Sequence, residues 1–161
     1  MKKYLKPFFP GVFIFLLFFS TTSCQFFNKK ADLSESWAII QEQVESESKS
    51  YPFEMGPLTA NFCEFNGQAV TYDYTLDEWE LEMSDLKNRL SLMAEDVKAR
   101  LLEQTKIPSF KRFFDACAKA NVSLVYQYTG DESNEMCQIV FYPKNNKTEI
   151  KTGLVGKKRT Y

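Results

Sequence analysis

Between Leu58 and Leu76 the chain reads LTANFCEFNGQAVTYDYTL, two alternating runs broken by Asn66-Gly67. An Asn-Gly pair in that setting is a preferred two-residue hairpin turn, because both central positions take positive φ. With those two residues as the loop, Phe65 opposes Gln68, Cys63 opposes Val70 and Asn61 opposes Tyr72. Side chains alternate along a strand, so Cys63, Phe65, Val70, Tyr72 and Tyr74 share one face, the expected core side.

A second hairpin is expected near the other end of the chain. NVSLVYQYTG runs into a polar loop at Asp131 to Asn134 and returns as EMCQIVFY. A four-residue loop opposes Tyr128 to Cys137 and Tyr126 to Ile139. The two hairpins echo each other: VTYDYT at Val70 and LVYQYT at Leu124 share Y-x-Y-T, and each has a cysteine on its partner strand. Repetition of a hairpin unit would produce this, and so would the general liking of strands for tyrosine and threonine.

Three helices are expected around the hairpins. Trp37, Ile40 and Val44 recur at helical spacing after the capping sequence Asp32 to Glu35. TLDE, Thr75 to Glu78, reads as another capping box opening a long helix to about Lys106. Trp79, Met83, Leu86, Leu90, Met93, Val97 and Leu101 form its buried stripe. Pro108 ends that run, and Phe110, Phe113, Phe114 and Cys117 mark one side of a third helix.

The order helix, hairpin, two helices, hairpin predicts an α+β fold: a four-stranded, mainly antiparallel sheet made of two hairpins, with helices packed on one face. Residues 32–143 then form a single domain. Residues 144–161 hold six Lys or Arg and one acid, Glu149, and read as a solvated basic tail or, through TEIKTGLV, as an extra edge strand.

The first 23 residues have a different character. Three lysines precede the apolar run PFFPGVFIFLLFF, which is too short for a spanning helix and is followed by the small residues STTS. That is the order of a secretory signal. TTSC, Thr21 to Cys24, resembles the lipobox of bacterial lipoproteins, with Thr21 where an aliphatic residue is usual. The resemblance covers Met1 to Cys24 and implies that Cys24 becomes the first mature residue, carrying diacylglycerol on sulfur and often an acyl chain on its new amino group. It also implies anchoring in the cell envelope, with residues 24–31 as a tether; plain secretion is the alternative. Losing three lysines and no acid takes the formal net charge from −1 to −4. A mildly acidic domain has no general attraction for nucleic acid.

The chemistry-bearing residues are few. The sequence holds no histidine, so histidine acid–base chemistry and Ser-His or Cys-His pairs are excluded. It has no phosphate-cradling glycine motif, and no cofactor or metal is expected. DEWELE, Asp77 to Glu82, suits a first helical turn; DESNE, Asp131 to Glu135, suits a hairpin tip. Cys63, Cys117 and Cys137 sit at apolar-face positions, as buried thiols or with one pair bridged. Tyr72, Tyr74, Tyr126 and Tyr128 form either half-buried core or an aromatic binding surface. The expected function is therefore non-enzymatic binding of an envelope protein, peptide or glycan, with a small hydrolase using paired carboxylates as the alternative.

Overall fold

A computed structural model describes residues 29–155. The expected leader and Cys24 lie outside the described residues. Three helices and six strands follow in the order α1 (Lys29–Ser48), β1 (Phe53–Met55), β2 (Leu58–Phe65), β3 (Ala69–Leu76), α2 (Met83–Gln104), α3 (Pro108–Ala120), β4 (Ser123–Gly130), β5 (Glu135–Tyr142) and β6 (Lys147–Leu154). The α+β class is as the pattern predicts, but the sheet has six strands rather than four, ordered β1 to β6 as in the chain. The three-residue β1 is too short to show alternation. At the other edge, β6 is the extra edge strand that the expected tail offered as an alternative, because every residue from Lys147 to Leu154 pairs with β5.

The sheet is antiparallel except at its centre, where β3 and β4 run parallel, joined through α2 and α3. The two Y-x-Y-T echoes lie side by side there, with Tyr72 beside Tyr126, Tyr74 beside Tyr128 and Thr75 beside Thr129. Tyr128 opposes Cys137 and Tyr126 opposes Ile139, as expected. The first hairpin differs from expectation by two residues: Phe65 opposes Val70 and Cys63 opposes Tyr72. Its turn centres on Gly67 and Gln68, since the Asn66 side-chain oxygen accepts the N–H groups of Gln68 and Ala69 and Asn66 N–H donates to Ala69 C=O. Gly67 alone of the pair takes positive φ, 90°. A slip of two keeps Cys63, Phe65, Val70, Tyr72 and Tyr74 on the expected face. The bulge between Ala60 and Phe62 reverses the residues before it, so that Ala60 opposes Tyr74 in the core and Asn61, expected opposite Tyr72, turns to the other face.

The second correction concerns α2. It starts at Met83, not after Thr75: Thr75 and Leu76 complete β3 against Thr129 and Gly130. Tertiary pairing overrides the local capping signal. Trp79 consequently leaves the stripe and is 85 % exposed, while Met83, Leu86, Leu90 and Leu101 are buried. In α3, Pro108 occupies the first turn and Phe110, Phe113, Phe114 and Cys117 are buried, as the spacing requires. These helix faces meet one face of the sheet in a core that includes Val70, Leu76, Leu124, Ile139 and Phe141.

Candidate interaction surfaces

The four tyrosines sit under the helices. Tyr72, Tyr74 and Tyr128 are buried and Tyr126 is partly buried against the core. Parallel register brings them together in two stacks: Tyr72 on Tyr126 with centroids 5.0 Å apart, and Tyr74 on Tyr128 at 5.2 Å. Burial holds the phenols above their ordinary titration range. The face proposed as a recognition surface is therefore core, because α1 and its neighbours cover it.

Glu47 closes the end of this stack. It projects from the last turn of α1, accepts a hydrogen bond from Gln43 Nε2 at 2.6 Å and is hydrogen-bonded to Tyr72, with Cys63 Sγ 4.0 Å away. Desolvation raises its carboxyl pKa, and the bonds to Gln43 and Tyr72 oppose that rise. Spacing alone marks Glu47 as an outer residue of a polar exit, so sequence reasoning missed it. Cys63, Cys117 and Cys137 are free, buried thiols. Burial pushes Cys117 up to about 12 and Cys137 to about 11, and Cys63 rises as well, so none is a ready nucleophile.

On the opposite face of the sheet a polar track crosses four strands. Asn61 Nδ2 donates to Asp73 Oδ2 at 2.8 Å and to Thr75 Oγ1 at 2.9 Å. Gln127 Nε2 donates to Asp73 Oδ1 at 2.8 Å, and Gln138 Nε2 to Gln127 Oε1 at 2.7 Å. Asn61 reaches the track from the bulge between Ala60 and Phe62. Among the described residues no cluster of Cys, Asp and Glu is arranged to hold a metal ion.

The two ends of the sheet differ. At one end lie the β2–β3 turn, the start of β4 and the β5–β6 turn, and Trp37 of α1 meets the β2–β3 hairpin there. At the other end the loops are pinned to each other. Asp77 N–H donates to Pro57 C=O, Asp131 N–H to Leu76 C=O, and Val155 N–H to Asn134 C=O. Glu78 and the 131–133 turn are bonded both ways: Glu78 Oε2 accepts the N–H groups of Glu132 (2.9 Å) and Ser133 (2.7 Å), and Asp131 Oδ1 accepts Glu78 N–H (3.1 Å). The Ser133 N–H is the main reason that Glu78 stays below the ordinary carboxylate range. A side chain at Gly130 would push aside the Glu78 carboxylate and the Ser133 hydroxyl.

This fixed frame carries the most exposed large apolar side chain among the described residues. Trp79 follows Glu78 directly, and Leu154 and Val155, 71 % and 42 % exposed, leave the sheet beside the same 131–134 turn. Residues 77–82 and 131–135 hold seven acids and no Lys or Arg. Lys87 reaches in from α2 to Glu135 at 2.8 Å. This end of the sheet thus combines exposed apolar side chains with a local excess of acids.

No protein-family model and no curated protein matches the chain. Solved structures share its fold. The type 2 secretion system pilotin EpsS of Vibrio vulnificus superposes with a TM-score of 0.53 at 8% identity, over 75% of this chain and all of that one. A protein of Pseudomonas aeruginosa described as secreted superposes with a TM-score of 0.52 at 10% identity, over 74% of this chain and 91% of that one. At such identities the likeness is one of fold.

Proposed function

We propose that this protein is a lipid-anchored component of the bacterial cell envelope that binds another envelope protein and catalyses no reaction. The observation that carries the reading is the frame around Trp79. A tryptophan 85 % exposed on a loop fixed by backbone hydrogen bonds has little to lose in conformational entropy when a partner covers it. The surrounding acids select a partner segment that carries lysine or arginine beside apolar side chains. The fold shared with a secretion-system pilotin supports an envelope role, and the lipobox-like Thr21 to Cys24 supports the anchor.

Photo-crosslinking from the 77–82 loop in intact cells tests the binding. A specific envelope protein should be captured by the wild type and lost in Trp79→Ala, with an unchanged circular dichroism spectrum. Reproducible turnover by the purified protein, abolished by replacing one Asp or Glu, would overturn the reading in favour of a hydrolase.

A further inference from the structure

The apolar stripe of α1 outruns the sheet that it covers. Leu33, Trp37, Ile40 and Val44 recur at steps of four, three and four, so they lie along one side of the helix. Exposure divides the four into two pairs: Val44 at 7 % and Ile40 at 0 % are buried, whereas Trp37 at 50 % and Leu33 at 49 %, nearer the N-terminus, are half exposed. Trp37 explains the change. Its ring meets Phe65 edge-on at 6.0 Å and lies 3.9 Å from where a side chain on Gly67 would begin, so it rests on the last turn of the β2–β3 hairpin. One helical turn further toward the N-terminus, Leu33 continues the same side of the helix and is likewise half exposed.

Glu35 points away from this overhang, into the groove between α1 and α3 lined by Lys111, Arg112 and Asp115. The outward side of Leu33 and Trp37 is thus free of that acid. Four residues separate Cys24 from the first residue of α1, a reach of about 17 Å even when fully extended. Leu33 and Trp37 follow within about 6 and 12 Å of helix.

We propose that the Leu33–Trp37 overhang is the surface on which the tethered domain rests against the bilayer. The inference depends on lipidation of Cys24. Two side chains are too small a patch to hold a free protein on a membrane. A lipid at Cys24 makes the contact intramolecular, so weak intrinsic affinity suffices. Tryptophan suits the site, since its ring is favoured at the headgroup level. Seating this end on the membrane turns the Trp79 end outward, because α1 starts at the hairpin-tip end of the sheet and Trp79 lies at the other.

The chain contains two tryptophans, one at each end, and this provides the test. Full-length lipidated protein is placed in phosphatidylglycerol–phosphatidylcholine vesicles with brominated acyl chains, as Trp79→Phe (reporting Trp37) and as Trp37→Phe (reporting Trp79). Trp37 fluorescence should be quenched at least threefold more than that of Trp79. Leu33→Glu in the Trp79→Phe background should reduce the Trp37 quenching with no change in the circular dichroism spectrum. Equal quenching of both tryptophans in protein whose mass includes the diacylglycerol would overturn the seating and leave the anchor standing. A mature mass without diacylglycerol would overturn both.

Discussion

Tyr72 and Tyr126 stack with ring planes 12° from parallel, although two helices separate them in the chain. The contact follows from parallel register: neighbouring strands place like positions side by side, and Tyr74 and Tyr128 repeat it one pleat further on. Aromatic pairs of this kind contribute about 0.5–1.5 kcal/mol beyond their area. They join the two halves of the sheet at the one place where no hairpin connects them.

Glu47 caps that stack and makes stability depend on pH. Its folded pKa is raised, so the folded state holds the proton more tightly than the unfolded chain. The stabilising contribution is complete below the ordinary carboxylate range and is lost as pH rises through the raised value. Glu47→Gln should therefore raise the Tm by a few degrees at pH 8 and leave it nearly unchanged at pH 4, as measured by thermal denaturation. A lower Tm at pH 8 would show that the charged form is the favoured one.

Glu78 has the opposite sign. Its lowered pKa gives stability that is present above the ordinary value and lost as pH falls through the lowered one. Glu78→Ala should speed amide exchange at Glu132 and Ser133 more than tenfold, with central-strand amides such as Tyr126 little changed. Uniform acceleration across the sheet would mean that the loop frame is not a separate unit.

Leu90 is 2 % exposed under the helix layer. Leu90→Asp should cost about 4 kcal/mol or more, by burying an unpaired charge, and remove the protein from the soluble folded fraction. Glu82→Ala should change little, since Glu82 makes no side-chain cap bond to α2. Urea denaturation of both variants checks the contrast.

The three thiols should resist alkylation. Cys63, Cys117 and Cys137 are buried and their pKa values raised, so iodoacetamide at pH 8 should label them only after denaturation. Rapid labelling of Cys117 in the native protein would contradict the packing of α3.

Much of this arrangement is legible in the residues themselves, and the exceptions have physical causes. The side-chain faces from Cys63 to the end of β5 follow from alternation, which survives a two-residue slip of the first hairpin, whereas the bulge between Ala60 and Phe62 reverses the first half of β2 with no local signal. The start of α2 does not follow from local signals, because Thr75 and Leu76 are drawn into β3 by β4, a strand distant in sequence. Trp79 looked like the first rung of a buried stripe for the same reason. Alternation marked the tyrosine face as the core side, and the choice between core and binding surface falls to core, because Tyr72, Tyr74 and Tyr128 are buried. Glu47 gave no signal, since its neighbours come from β2 and β3.

Strand order also sets a sequence of events for a newly made chain. Each hairpin joins strands separated by a short turn, so β2 with β3, β4 with β5 and β5 with β6 need little loop closure and form early. The pairing of β3 with β4 must enclose both α2 and α3, and it is the step with the largest entropic cost. The tyrosine stacks form only at that step, so they act as the latch that reports its completion.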